Sequence, residues 1–553
     1  MIFNQLANKI KKSSFTILIF SLAVLIKIIW SGSVAWKEDQ ATNMWIALTK
    51  GINDVDVGLL SSKLIPNPNG MIILAKFLLI FENLIIISLF LTLLQSILFI
   101  KLIKKFDLSN FDRNLLYILI LFSFVLNHAA VDFWNNWIII NINILFYIQY
   151  FNFKNKPTLN KLILLFSLAF LPCSIYLAAI VNTGIFLLFI FFAIYKCRKK
   201  ILFKVSFNTF VSVSTLFIQF IFIWIPYFKA ININDLRKVS NLSTLDRFEI
   251  FLESIFEFPK FFLQQFTNES SFWIPITNYN YDTINVSFLG FRLSTSNLYK
   301  LFADFHKIII FIFLINFLSI LSKFIRNKDF ELISSNFNIT LLGIAYIFFW
   351  IILNPTLGGP KIISFERVEA STELYPIYLL IWFLSFNLIK NNNKFLVLIS
   401  RWIFSIFIII NISLSVTALS ERFFSNTFVI TEAEVPVIRK YQIAEFIYND
   451  YVNKNLNFSV SYQIGGGIWD WIPSHSESFS KWYADYPFTI GRSFDYIFYT
   501  KYNIINAYEG ENSRSFNNSL YIISFLKDKP IYDNSANYEE YNFWQYRVSI
   551  RNS

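Results

Sequence analysis

Apolar side chains run along the chain in blocks at 15–33, 84–101, 115–128, 136–150, 161–177, 179–195, 206–227, 305–322, 337–354, 373–389 and 395–418. Short lysine-bearing stretches separate them. Blocks near this length predict about eleven membrane-spanning helices, the two runs within 161–195 being the least sharply divided. Ionisable groups are scarce inside the runs. Lys27 and Arg401 are expected near helix ends, where a long stem carries the charge to the interface. After Glu421 the pattern changes. Val437, Ile438, Tyr441, Ala444, Ile447 and Tyr451 recur at helical spacing, and Phe458–Gln463, Asp495–Tyr499 and Leu520–Phe525 read as strands. The expected fold is mostly α: a polytopic transmembrane helix bundle over 1–419 with a small α/β domain over 420–553.

Composition supports this division. The 553 residues are 55% hydrophobic and 15% charged and include 66 phenylalanines, more apolar side chain than a water-soluble surface can hide. The net charge of +12 resides in clusters between the apolar runs, such as Lys9/Lys11/Lys12, Lys101/Lys104/Lys105 and Lys196/Arg198/Lys199/Lys200. Those clusters fall on one side of the bilayer, expected to be the cytoplasm, and do not form a phosphate-binding stripe for nucleic acid. The N-terminus is then cytoplasmic, the first apolar run is a retained helix, and the loops 34–70, 229–303 and 355–372 and the C-terminal domain are exoplasmic. A bacterial inner or plasma membrane is the expected location. Cys173 and Cys197 alone exclude a disulfide framework.

Candidate chemistry therefore gathers on the outer face. The first loop opens with Trp36-Lys37-Glu38-Asp39-Gln40, and a carboxylate partly desolvated at a membrane surface is suited to general-base work on a hydroxyl. An amphipathic helix is expected over Ala41 to Gly51, followed by Gly58 and Ser61-Ser62-Lys63-Leu64-Ile65-Pro66-Asn67-Pro68. The second outer turn carries His128 and Asp132. Lys361 and Arg367 precede the span that starts near Glu373, where a cation suits a departing phosphate. His128, His306 and His475 lack zinc-ligand spacing, and no phosphate loop or nucleophile elbow has a suitable setting. Gly465-Gly466-Gly467 reads as a turn. Trp469, Trp471, Trp482 and Trp544 suit core packing or sugar stacking.

From Trp36 to about Phe81 the chain resembles the GT-C superfamily of membrane glycosyltransferases, relatives of protein O-mannosyltransferases and aminoarabinose transferases. The likeness rests on the acidic pair Glu38-Asp39 after an aromatic and on the stretch from Gly58 through Pro68 before the next apolar run. The order is Glu-Asp where the family usually has Asp-Glu; Glu38 is the favoured base, with Asp39 as its neighbour or metal contact. The resemblance implies an inverting transferase that moves a sugar from a polyprenyl-phosphate donor to a glycan, lipid or protein acceptor in cell-envelope polysaccharide biosynthesis. It implies Glu38 and Asp39 as catalytic, with Mg2+ or Mn2+ on the same pair if a metal takes part. Asp132 would be a second acidic group, Lys361 and Arg367 would bind donor phosphate, and Ser61, Ser62, Asn67 and His128 would belong to the substrate loop. Two other readings stay open: a polysaccharide polymerase or ligase using Arg237, Arg247 and Arg292, and a lipid-linked glycan transporter or flippase.

Overall fold

The computed structural model describes residues 2–34, 36, 38–59, 67–106, 108–131, 133, 135–202, 207–230, 249, 285–288, 291–294, 394–424, 436–454, 456–463, 491–506, 519–526, 537–544 and 546–552. These residues are mostly helical, with a small sheet. The helices are α1 (Ile2–Ser33), α2 (Glu38–Thr49), α3 (Gly70–Leu78), α4 (Leu84–Ile103), α5 (Asn110–Leu121), α6 (Phe124–Val131) and α7 (Asn135–Asn155). They continue with α8 (Leu159–Ile175), α9 (Ile180–Cys197), α10 (Phe207–Gln219), α11 (Ile225–Ala230), α12 (Lys394–Phe424), α13 (Val437–Tyr451) and α14 (Arg492–Tyr502). Eight of the expected runs are thus helical, and 305–322, 337–354 and 373–389 lie outside the described residues. Two helical stretches among the described residues, Leu84–Ile103 and Phe207–Ala230, are long and apolar enough to cross a membrane.

The closely spaced runs of 161–195 are two helices. Pro172 precedes the end of α8, and Tyr176, in an extended conformation, separates α8 from α9. At one end of the bundle the basic segments meet: the Lys105 Nζ donates to Asn152 Oδ1 at 2.6 Å and the Lys161 Nζ to the Asn152 carbonyl at 2.9 Å. Leu159 and Leu202 are joined nearby by a backbone bond of 3.1 Å. The opposite end carries Trp36.

Three features of the interior depart from the sequence expectation. Lys27 is buried: it lies six residues inside the end of α1, and its Nζ donates to Asn127 Oδ1 at 2.6 Å. Arg401 pairs with buried Asp112 at 3.1 Å and lies over the Phe111 ring. The run 115–128 is broken at Phe122–Ser123, between α5 and α6. There the Asn127 Nδ2 donates to the freed carbonyl of Leu121, and Asn127 holds both the break and the lysine. A second irregularity is the π-helical segment Phe220–Trp224, whose Phe222 carbonyl accepts from Asn69 Nδ2 at 3.1 Å. Such widened turns leave carbonyls that side chains must satisfy.

The C-terminal region contains α13, α14 and a four-stranded mixed sheet, with β3 (Val460–Gln463), β4 (Tyr521–Phe525), β5 (Tyr538–Phe543) and β6 (Tyr546–Arg551) in the order β3-β4-β6-β5. Strand β3 is parallel to β4, pairing Val460 with Tyr521, and β6 is antiparallel to β4 and to β5. Earlier in the chain, β1 (Asn285–Phe288) and β2 (Phe291–Ser294) form an antiparallel pair. Asp495–Tyr499, expected as a strand, lies in α14. Arg492 through Phe498 are all buried, so burial does not alternate, and Asn503 in the left-handed region ends the helix. Gly491 begins it at φ +89°, where a Cβ would overlap the Tyr462 ring.

Removing one partner from a buried charge costs more than removing the charge itself. Asn127→Leu, which leaves both the Lys27 Nζ and the Leu121 carbonyl without this partner, is expected to destabilise by about 2–5 kcal/mol. Lys27→Met, which orphans only an amide oxygen, is expected to cost about 1–3 kcal/mol. Thermal unfolding of both variants in detergent checks the ranking, and the reverse order would contradict it.

Candidate functional site

The acidic pair lies where α1 hands over to α2. Ser31 and Ser33 bond back to the carbonyls of Lys27 and Trp30, and α1 stops at Ser33. Trp36 then adopts φ +48°, a left-handed conformation that costs a bulky residue about 1–3 kcal/mol. Its surroundings hold it there. The ring is fully buried, Nε1 donates to Ser88 Oγ of α4 at 3.1 Å, and the ring stacks on Phe133 at 5.9 Å.

Helix α2 begins two residues later, so Glu38 and Asp39 occupy its first two positions and not the open loop expected from sequence. Backbone N–H groups at a helix start favour negative charge. The helix is also not amphipathic. Gln40 through Ala47 are buried on every side, with Gln40, Thr42 and Asn43 among them. At its far end, Lys76 of α3 donates to the carbonyls of Ala47 and Lys50, a cation answering the negative pole of a helix.

The loop that follows is closed at its neck. Gly58 N–H donates to the Asn67 carbonyl at 2.7 Å, Asn67 N–H donates to the Leu59 carbonyl at 3.1 Å, and a Cβ on Gly58 would strike the Pro68 carbonyl. Asn67, expected in a substrate loop, is buried: its Nδ2 donates to the Leu59 carbonyl at 2.9 Å and its Oδ1 accepts from Leu177 N–H at 3.1 Å. It ties this loop to the α8–α9 turn. Gly70 packs against the Ser174 carbonyl so closely that a Cβ would clash with backbone.

Of the other expected residues, His128 follows Asn127 in α6, and Asp132 adjoins Phe133, the ring stacked on Trp36. That stack draws the second outer turn toward the first. Ser61, Ser62, Asp132, Lys361 and Arg367 lie outside the described residues, as do Arg237, Arg247, Gly465-Gly466-Gly467, Trp469, Trp471 and Trp482. Among the described residues no group of three His, Cys, Asp or Glu side chains converges in a metal-binding arrangement.

The C-terminal region touches the same connector. Val437 N–H, at the start of α13, donates to the Val34 carbonyl at 2.8 Å. The fully buried Lys440 donates to the Trp36 carbonyl at 3.3 Å and to Ser493 Oγ at 2.9 Å. Tyr441 Oη accepts from Leu84 N–H at the start of α4. Burial pushes the Tyr441 phenol up to about 12, so it stays neutral at physiological pH. From α14, Tyr499 meets the Trp45 ring edge-on at 6.1 Å and the Arg492 guanidinium lies 5.2 Å from it. Arg492 also faces Asp495, which accepts from Tyr462 Oη at 2.6 Å. Sequence reasoning passed over Lys440, although it sits in the apolar stripe of α13 with Val437, Ile443, Ala444 and Ile447, where a lysine is a signal.

Comparison of the chain with protein-family models, curated proteins and solved structures finds no match.

Asn67→Ala leaves one carbonyl and one N–H without their side-chain partner and is expected to destabilise by about 1–3 kcal/mol. Thermal unfolding of the purified chain measures this loss, and an unchanged midpoint would contradict a structural role for Asn67.

Proposed function

We propose that this chain is a multi-pass membrane enzyme of about eleven spans. In this reading it is an inverting glycosyltransferase that moves a sugar from a polyprenyl-phosphate donor to a glycan, lipid or protein acceptor on the exoplasmic face. The observation that carries the proposal is the acidic pair Glu38-Asp39 at the start of a buried helix, at the end of the bundle opposite the basic segments. The apolar faces turned outward support a lipid setting: Phe210 is 68% exposed, Trp402 64% and Ile409 62%.

In this reading Glu38 or Asp39 takes the proton of an acceptor hydroxyl. The oxygen attacks the anomeric carbon from the face opposite the phosphate. The bond from that carbon to the phosphate oxygen breaks, and polyprenyl phosphate leaves with the electron pair, its charge answered by Lys361 and Arg367. Two adjacent carboxylates are the hard oxygen donors that Mg2+ or Mn2+ takes, and a bound ion would polarise the phosphate.

One observation favours a second reading, a transporter of lipid-linked glycan. Buried Lys27 beside the α5–α6 break combines an ionisable group inside the bundle with an interrupted helix.

Transfer of tritiated sugar from polyprenyl-phosphate mannose to endogenous acceptors, in membranes with matched expression, discriminates the two. Glu38→Gln or Asp39→Asn is expected to lower the rate at least about hundredfold, the general-base contribution. Undiminished transfer in both variants would remove the site assignment. Absence of transfer, together with movement of the labelled lipid across the bilayer that depends on Lys27, would favour the transporter.

A further inference from the structure

Lys76 holds the far end of α2, and the connector before its acidic end is held by Ser88 and Phe133 through the Trp36 side chain and by the C-terminal region through its carbonyls. The connector between α1 and α2 presents two carbonyls, Val34 and Trp36, to the C-terminal region. Val437 N–H, one of the amides that a helix start leaves without an intrahelical partner, takes the first. The ammonium of Lys440, one turn further along α13, takes the second. The ammonium is fully buried, 3.3 Å from that carbonyl and 2.9 Å from Ser493 Oγ, so it has no water to turn to. The carbonyl it grips belongs to the residue with φ +48°, two positions before Glu38.

We infer that Lys440 is a positioning residue: by holding the Trp36 carbonyl it sets the direction in which α2 starts, and with it the placement of Glu38 and Asp39. The inference deepens the transferase reading and rests on it for its catalytic consequence, while its structural half stands without it. Lys440 does not touch the reacting atoms. Neutralising it lets the Trp36 peptide relax from the left-handed region and turns the first residues of α2, while Lys76 still holds the other end. The chemical step then suffers and donor binding does not, because the groups assigned to donor phosphate belong to another loop.

The test uses the full chain in membranes with polyprenyl-phosphate mannose as probe. Lys440→Met is expected to lower the rate at saturating donor at least about tenfold, with the half-saturating donor concentration changed less than about twofold. Lys440→Arg, which keeps a cation able to donate to the Trp36 carbonyl, is expected to recover most of that rate. A folded Lys440→Met protein that transfers at the wild-type rate, or loses donor affinity alone, would overturn the inference. Should Lys440→Met not accumulate, Lys440→Gln, which also removes the charge, decides by the same split between saturated rate and half-saturation. If the wild-type chain transfers nothing, hydrogen exchange decides. Faster exchange in Lys440→Met confined to residues 36–49 supports the hold on α2 while the transferase reading fails, and unchanged exchange there overturns it.

Discussion

The buried ammonium of Lys440 on the Trp36 carbonyl is the contact through which the two halves of the chain depend on each other. Withdrawing an ammonium from water costs several kcal/mol, and a left-handed tryptophan adds about 1–3 kcal/mol. Neither persists unless its neighbours over-determine it. They do: Ser88 receives the indole N–H, Phe133 covers the ring, and Ser493 and the Phe494 ring share the cation. The same cluster thus joins α1, α2, α4, the turn after α6, α13 and α14. Strain stored in a connector beside two carboxylates is the kind of feature that a folded chain keeps for positioning.

Asparagine plays a comparable part inside the bundle. Non-helical backbone away from water needs partners for its amides and carbonyls. Asn127 answers the break after α5, Asn69 the π-helical segment, Asn67 the neck of the first loop, and Asn83 accepts the Ile85 and Ile86 N–H groups at the start of α4. An amide both donates and accepts, which lets one side chain join two such places.

The helices were legible because length and hydropathy are local properties of a run. The α5–α6 break was not, because its signal is a serine whose effect depends on Asn127 folding back onto Leu121. Asp495–Tyr499 misleads because full burial erases the alternation that separates strand from helix. The β5–β6 hairpin has Trp544 at φ +50° where a glycine or asparagine would announce the turn, and β5 is a largely exposed edge. At the candidate site, Glu38 and Asp39 stand out as adjacent carboxylates, whereas the structural role of Asn67 depends on Leu177, 110 residues away. Lys440 contacts a residue 404 positions distant, which no local pattern encodes.

In the proposed topology the acidic helix start and the C-terminal region share the outer face, opposite the basic end. Labelling with a membrane-impermeant maleimide in intact cells tests it directly, since both native cysteines are buried. A cysteine at exposed Asn453 is expected to react in intact cells, and one at exposed Lys199 only after permeabilisation. The reverse pattern, or reaction of both in intact cells, would contradict the account.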